Sequence, residues 1–185
     1  MNVTATDVPG VLVLEPRVFT DSRGSFVEVF RADAYATFGA RAPFVQDNVS
    51  TSRAGVVRGL HFQHPRGQAK LIHVVRGEIF DVAVDVRHGS PTFGHAAWGT
   101  LSASNQRQMF VPAGFAHGFL VTSDEAVVFY KCSDYYAPER EHSLRWNDPA
   151  LRIPWPVATT IVSAKDGAAP LLADLPREWL PRFEP

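Results

Sequence analysis

The sequence lacks the features of a secreted, membrane-spanning or nucleic-acid-binding protein. Its single cysteine, Cys132, cannot form a disulfide within the chain, so nothing requires an oxidising compartment. No apolar stretch approaches the roughly 18 residues that a membrane span needs, and the N-terminus lacks a basic segment followed by an apolar run. A net charge of −1 provides no field that would attract nucleic acid or an anionic membrane. We therefore expect a cytoplasmic protein with a small-molecule partner.

The length of the chain is that of one domain. A chain of 185 residues can bury roughly two-thirds of its unfolded surface in a single core. The sequence has no low-complexity segment and no repeat with a fixed period. We expect one domain over residues 1–185.

The distribution of β-forming residues predicts the fold class. From about Val11 to Trp146, short runs rich in Val, Ile, Phe and Tyr are separated by Gly, Pro, Asn and Asp, which is typical of antiparallel strands and turns. Helical periods are scarce in this region, which argues against alternating strands and helices. We expect an all-β fold and favour a jelly roll over another sandwich or barrel, with a few short helices, mainly near the termini.

Three local predictions follow from the pattern. Residues 71–75 and 79–86 are expected to form a hairpin, with Asp81 and Asp85 on one face of its second strand. Residues 31–39 have apolar side chains at helical spacing and end on a glycine, so they predict a short helix. The Pro-rich tail after residue 149 is expected to pack on the barrel, with a last helical turn near residues 171–180.

The segment with the most promising side chains for catalysis is Arg-Gly-Leu-His-Phe-Gln at residues 58–63, followed by Gln-Ala-Lys-Leu at 68–71. It places an imidazole, His61, one strand and turn away from an ammonium, Lys70. In a shared pocket the histidine could remove a proton from carbon while the lysine stabilises the resulting oxyanion. A buried structural histidine and a lysine extending from a strand end are the simpler alternatives.

Further motifs follow in a defined order. Residues 112–119 read Pro-Ala-Gly-Phe-Ala-His-Gly-Phe, residues 129–131 Phe-Tyr-Lys, and residues 163–166 Ser-Ala-Lys-Asp. In this combination the chain resembles the dTDP-4-dehydrorhamnose 3,5-epimerases, over roughly residues 8–172. Residues 176–185 have no counterpart in that resemblance.

The resemblance implies a cupin-like jelly roll, also called a double-stranded β-helix, and a set of catalytic roles. By similarity His61 is a base paired with Asp166, Lys70 contacts the ketone oxygen of the substrate, and Tyr130 returns a proton from the opposite face. The Asp would fix the tautomer of the His and stabilise its protonated form. No cofactor is implied, because the substrate already carries the carbonyl that acidifies its C–H bonds.

His117 is also a candidate metal ligand, because it lies in a Pro-x-Gly-x-x-His pattern shared with the second metal motif of cupins. The first metal motif needs two histidines separated by one residue and then a glutamate. Gln63 stands where the second histidine would be, and no glutamate follows before Glu78. We therefore expect no metal, and the resemblance makes His117 a substrate contact.

The resemblance also implies residues that hold a dTDP-4-keto-6-deoxy sugar. Guanidinium groups suit the diphosphate, and aromatic rings can stack on the thymine, although strand aromatics are more often part of a core. The substrate contacts implied are Phe19, Arg23, Phe26, Glu28, Gln46, Asp47, Asn48, Arg58, His117, Tyr136, Glu141 and Lys165. The resemblance further implies a homodimer in which Arg23 and Glu28 act across the interface.

The function implied is inversion of carbons three and five of dTDP-4-dehydro-6-deoxy-D-glucose, giving dTDP-4-dehydro-L-rhamnose through an enolate. One alternative is a mono-epimerase of a natural-product pathway, acting at carbon three or five only. Others are a non-catalytic nucleotide-sugar-binding jelly roll and a metal-dependent cupin oxygenase. A binding protein would not need a base and an acid, and Gln63 counts against the oxygenase.

Overall fold

The computed structural model describes residues 1–38, 43–157 and 160–184. Strands are the main regular structure in these residues, and the described helices are two of four or five residues and several 3₁₀ turns. The strands are β1 (Asn2–Ala5), β2 (Leu12–Glu15), β3 (Val18–Asp21), β4 (Gly24–Val27), β5 (Gln46–Arg53), β6 (Val56–Gln63), β7 (Lys70–Arg76), β8 (Glu78–Asp85), β9 (Ala96–Ser102), β10 (Gln108–Val111), β11 (Phe115–Val121), β12 (Glu125–Cys132), β13 (Glu141–Ser143) and β14 (Ile161–Val162). The helices are α1 (Ala32–Ala36) and α2 (Ala164–Gly167).

The strands form two antiparallel sheets that pack face to face. The first sheet has the order β1-β2-β10-β7-β12-β5 and the second β13-β6-β11-β8-β9, with β14 parallel to β6. Strands β3 and β4 form a separate hairpin. This arrangement confirms the predicted all-β jelly roll.

Apolar side chains fill three layers. The central core lies between the sheets and receives residues from both, such as Ile72 and Phe119. A second cluster covers the outer face of the second sheet, where Leu151 and Leu175 from the C-terminal region pack on strands β6, β8 and β11. A third cluster, which includes Tyr35 of α1, covers the outer face of the first sheet. Both sheets are thus buried on two faces, which explains their nearly continuous apolar runs.

The predicted hairpin of residues 71–75 and 79–86 is wrong. Both strands exist, but β7 pairs with β10 and β12 in the first sheet, whereas β8 pairs with β11 and β9 in the second. The chain crosses between the sheets at Gly77, whose φ is 76°. A Cβ atom there would lie 1.9 Å from the carbonyl oxygen of Glu125, so only glycine allows the crossing. Asp81 and Asp85 do share the inward face of β8, and both are fully buried.

Both regions predicted to be helical contain helical turns, but their lengths or types differ from the prediction. The first helix is shorter than predicted, because α1 covers only Ala32–Ala36; Gly39, its predicted end, lies outside the described residues. The second falls on two 3₁₀ turns, Leu172–Asp174 and Arg177–Trp179. The tail packs on the second sheet as expected. None of the helices in the described ranges is long and apolar enough to cross a membrane.

Candidate active site

One cleft lies between the two sheets and contains the residues predicted to carry the chemistry. His61, His117 and Arg58 come from β6 and β11 of the second sheet, whereas Lys70 and Tyr130 come from β7 and β12 of the first. The main part of the cleft has a volume of about 480 Å³. A smaller part of about 280 Å³ shares three of these residues and extends toward the loop after β12.

His61 and Asp166 form a hydrogen-bonded pair on one wall. The His61 Nε2 and Asp166 Oδ1 atoms are 2.6 Å apart, and their side chains are 27% and 6% exposed. With Nε2 bonded to the carboxylate, Nδ1 is the ring nitrogen left for a proton from elsewhere. The two side chains that the resemblance pairs are therefore hydrogen-bonded in this structure.

Local structure holds the Asp166 carboxylate in its ionised form. Ser163 caps α2, and its hydroxyl accepts a hydrogen bond from the Asp166 backbone N–H at 3.1 Å. The Gly59 backbone N–H donates to Asp166 Oδ2 at 3.4 Å. Burial alone would raise the pKa of Asp166, but the bonds from His61, Gly59 and Ser163 outweigh it and lower the pKa below its usual 3.8. The carboxylate is thus suited to stabilise a protonated His61.

Lys70 places a desolvated ammonium in the cleft. It faces inward from the start of β7, directly opposite Cys132 of β12. Burial lowers the pKa of Lys70, and the nearby Cys132, Glu141 and Asp81 partly offset that effect. The ammonium forms no salt bridge within the part of the chain that the structure describes. A cation in this state is available to an oxyanion of the substrate.

Tyr130 lies on the wall formed by the first sheet, whereas His61 lies on the second sheet. Burial raises the pKa of Tyr130; Cys132 and Glu141 add to the increase and Arg58 opposes it. Arg58 is held by its own contacts, since its Nε donates to the Ser52 hydroxyl at 2.9 Å. A phenol and an imidazole thus enter the cleft from opposite walls.

His117 forms a second pair with Asp81, deeper in the cleft. The His117 Nε2 and Asp81 Oδ1 atoms are 2.8 Å apart, and their side chains are 8% and 0% exposed. Asp81 Oδ2 is buried without a hydrogen-bond partner among the residues described. Its charge favours the protonated form of Lys70, so Asp81 acts on both Lys70 and His117.

Two glycines bring β6 and β11 close together beside these pairs. A Cβ atom on Gly59 would lie 2.7 Å from the Gly118 Cα, and one on Gly118 would lie 2.5 Å from the Arg58 carbonyl oxygen. Gly59 also has a φ of 119°, which side chains disfavour. The ladder changes register between His117 and Phe119 at this point. The glycines of both motifs therefore have a structural role in shaping the wall.

Polar residues line the mouth of the smaller part of the cleft. Lys165 forms a salt bridge with Glu141, and the Tyr136 hydroxyl donates to Glu141 Oε2 at 3.3 Å. Gln46 and Asn48 face the same space from β5, and the Gln46 amide donates to Asn48 Oδ1 at 3.0 Å. The structure therefore brings these five predicted contact residues together.

Asp47 and the β3–β4 hairpin lie outside this cleft. Asp47 is on the outer face of β5, where it pairs with Lys131 at 2.9 Å. Phe19, Arg23 and Phe26 line a separate surface groove on the hairpin. Glu28 lies 3.6 Å from Arg31. Within a single chain, these residues do not reach the His61 cleft, and their contacts with a substrate stay predictions.

No group of three or more metal-binding side chains occurs in residues 1–38, 43–157 and 160–184. Gln63, at the position that differs from the cupin metal motif, uses both polar atoms of its side chain in hydrogen bonds with the backbone of residues 135 and 137.

Sequence reasoning did not assign several residues that shape the site. Asp81, Ser163 and Ser52 hold His117, Asp166 and Arg58, respectively. Asp81 could have been found from the sequence, because a carboxylate that faces inward from an apolar strand must find a partner. Ser163 could have been found as well, because it stands three residues before Asp166, which is the spacing of a helix N-cap. Ser52 could not, since its partner is defined only by the folded structure.

The chain is similar to known proteins over most of its length. Residues 5–174 match the model of a family described as dTDP-4-dehydrorhamnose 3,5-epimerase. An enzyme of that name from Neisseria gonorrhoeae is 54% identical over 167 residues, which are 90% of this chain but only 51% of that protein, so the chain spans about half of its length.

Two solved structures resemble the whole fold. The crystal structure of dTDP-6-deoxy-D-glucose-3,5-epimerase from Legionella pneumophila, in complex with dTDP-4-keto-L-rhamnose, is 47% identical with a TM-score of 0.97, covering 100% of this chain and 99% of that one. A 3′-monoepimerase from Streptomyces bikiniensis, in complex with dTDP-quinovose, is 40% identical with a TM-score of 0.89, covering 95% and 91%.

Proposed function

This chain belongs to the dTDP-4-dehydrorhamnose 3,5-epimerase family, and we propose that His61, Lys70 and Tyr130 perform the epimerisation in its cleft. The reaction inverts carbons three and five of dTDP-4-dehydro-6-deoxy-D-glucose and yields dTDP-4-dehydro-L-rhamnose. Both carbons adjoin the ketone at carbon four, so one site for the carbonyl oxygen can serve both inversions. The observation that supports this assignment best is the pairing of His61 with Asp166 opposite the wall that holds Lys70 and Tyr130.

His61 is the base in this proposal. Its Nδ1 takes the proton from the carbon next to the ketone. The electron pair of the C–H bond forms a C=C bond to the carbonyl carbon, and the carbonyl π pair moves onto the oxygen, giving an enolate. The ionised Asp166 stabilises the imidazolium and holds the ring in one orientation, which is the role of a carboxylate in such pairs. The lowered pKa of Asp166 supports this role.

Lys70 stabilises the enolate oxygen. Its ammonium is desolvated and makes no salt bridge within the described ranges, so its charge is not neutralised by a neighbouring carboxylate. Removing a donor of this kind typically costs about 3 to 4 kcal/mol of transition-state stabilisation.

Tyr130 returns a proton to the carbon from the other side. The phenol donates its proton as the enolate collapses to the ketone, and both Tyr130 and His61 then exchange protons with solvent. Inversion requires removal and delivery on opposite faces of the sugar ring. The position of the two side chains on opposite sheets supports this assignment.

The nucleotide is proposed to bind along the mouth of the cleft. Arg58 suits the diphosphate because a guanidinium group presents parallel donors. Gln46, Asn48, Tyr136, Glu141 and Lys165 line the mouth, and His117 lies deeper, near the sugar. Asp47 pairs with Lys131 on the outer face of β5 and is assigned no contact within one chain.

We further propose a homodimer in which the β3–β4 hairpin approaches the partner cleft. The hairpin is a two-stranded sheet of its own, and an isolated hairpin is only marginally stable in water. Phe26 is 68% exposed and Phe19 is 49% exposed in the single chain. A partner would cover these rings and receive Arg23 and Glu28. A sedimentation mass of one chain would overturn this arrangement.

We propose a cytoplasmic location because the thiol of Cys132 is not oxidised to a disulfide. Cys132 is buried and free, so the fold uses no disulfide. Recovery of the protein only from a periplasmic or extracellular fraction would contradict the proposal.

Proton exchange in deuterium oxide tests the function directly. The purified protein is incubated with dTDP-4-keto-6-deoxyglucose. The signals of the protons on carbons three and five are followed by proton NMR. We expect both signals to be lost and dTDP-4-dehydro-L-rhamnose to form. Loss of one signal would support a mono-epimerase, which is the second candidate because a 3′-monoepimerase is 40% identical to this chain. The absence of exchange would contradict both.

A further inference from the structure

The loop of residues 134–137 follows β12 and holds Tyr136 over the smaller part of the cleft. It has no helix or strand pairing of its own in the structure. Side-chain amides take the place of such pairing. The Gln63 Nε2 donates to the Tyr135 carbonyl oxygen at 3.3 Å, and the Gln63 Oε1 accepts from the Ala137 N–H at 2.9 Å.

Two other glutamines hold the same loop. The Gln68 Nε2 donates to the Asp134 carbonyl oxygen at 2.7 Å, and the Gln46 Oε1 accepts from the Tyr136 N–H at 2.8 Å. Four consecutive residues thus each have one backbone group bonded to a glutamine side chain. We call Gln46, Gln63 and Gln68 the amide clamp.

We propose that Gln63 is a positioning residue, which fixes Tyr136 at the nucleotide end of the cleft through the backbone on both sides of it. This inference rests on the proposed function of Tyr136 as a substrate contact. Gln63 is only 5% exposed and is the last residue of β6, two positions after His61. The strand that carries the base therefore also fixes the loop that binds the substrate.

The chemistry of the clamp requires an amide at residue 63. One of its two partners is an acceptor and the other a donor, and only an amide satisfies both with a side chain of this length. A glutamate would place an acceptor against the Tyr135 carbonyl, and an apolar side chain would leave the Ala137 N–H without its partner. The bond between Gln63 and Ala137 is partly buried, so its loss is costly enough to displace the loop.

The clamp acts on the position of Tyr136 and makes no contact with His61 in the described hydrogen bonds. Loss of the clamp should therefore weaken nucleotide binding and leave the chemical step nearly intact. The Tyr136 hydroxyl bonds to Glu141, which in turn pairs with Lys165. A displaced loop would therefore also disturb the mouth of the cleft.

The test uses Gln63→Met, which has the same length and no amide, in the full chain. Hydrogen exchange at the Ala137 amide should become at least about tenfold faster, and the dissociation constant for dTDP should rise about tenfold. The kcat should stay within about twofold while KM rises. The matched control is Gln106→Met, because Gln106 donates a similar bond, to the Ala103 carbonyl at 2.6 Å, in a turn outside the cleft. It should change neither dTDP binding nor exchange at Ala137.

A double-variant comparison separates positioning from general destabilisation. In a Tyr136→Ala background, Gln63→Met should weaken dTDP binding no further, because the ring that it positions is gone. An equal further loss, unchanged exchange at Ala137, or a fall in kcat with unchanged dTDP affinity would each overturn the inference. Failure of the unmodified protein to bind dTDP would instead contradict the proposed function, and the exchange result would still decide whether Gln63 holds the loop.

Discussion

The cleft contains two histidine–aspartate pairs that share their chemistry and differ in their setting. His117 and Asp81 lie on adjacent strands of one sheet, and both side chains are almost fully buried. His61 and Asp166 join a strand to a short helix 105 residues away in sequence, and the His61 ring is partly exposed to the cleft. The two histidines are themselves paired across β6 and β11.

We infer from this comparison that exposure to the cleft, more than the pairing itself, makes His61 the base and not His117. The buried pair has one aspartate oxygen without a partner in the described part of the chain and supports the charge of Lys70. The open pair has its aspartate oxygens bonded by His61 and Gly59 and leaves a ring nitrogen free. In our proposal the buried pair supports the electrostatics of the cleft, and the open pair carries out the proton transfer.

Replacing each histidine by asparagine should have the largest effect. We expect His61→Asn to lower kcat about 10³-fold, because a positioned base typically contributes 10² to 10⁴. Affinity for dTDP should change less than about twofold, since His61 acts on the sugar carbons. His117→Asn should keep much more of kcat, because asparagine can still donate to Asp81. Steady-state kinetics and dTDP titration measure both, and equal losses of kcat would contradict the difference between the pairs.

Replacing each aspartate should have the next largest effect. Asp166→Asn should lower kcat by about 10²-fold, because the amide keeps the geometry but cannot stabilise the imidazolium. Asp81→Asn is the matched control for loss of a buried carboxylate, and we expect it to lower kcat less. Single-turnover proton exchange at carbon three measures the chemical step for each variant. A slower exchange in Asp81→Asn than in Asp166→Asn would reverse the assignment of the two pairs.

The sequence predicts the strands well, because β-branched and aromatic runs between turn residues have a clear physical preference. It does not predict which sheet a strand joins. Residues 71–75 and 79–86 look like a hairpin because the link between them is short and contains a glycine. Their partners are chosen by packing of the whole barrel, and Gly77 serves a crossing between sheets instead.

The site could be predicted as far as its residues lie in recognisable motifs. His61, Lys70, Tyr130 and Asp166 were identified in this way, and the structure places them around one cleft. In the sequence, Gln63 stands out only because it occupies the position of the second histidine in the cupin metal motif. Its bonds to the backbone of residues 135 and 137 could not be foreseen, because they span more than 70 positions.

The smallest expected effect is on stability, and it depends on pH. Because the pKa of folded Asp166 lies below its usual 3.8, its ionised form stabilises the fold above that pH, and this contribution is lost as the pH falls through the folded-state value. Asp166→Asn should therefore lower the melting temperature at pH 7 by about 2 to 4 °C, the change expected from roughly 1 kcal/mol in a chain of this size. Calorimetry at pH 7 and at pH 3 measures the difference, which should shrink at the lower pH. A difference of the same size at both pH values would mean that the contribution of this pair to stability comes from its packing and not from the charge of Asp166.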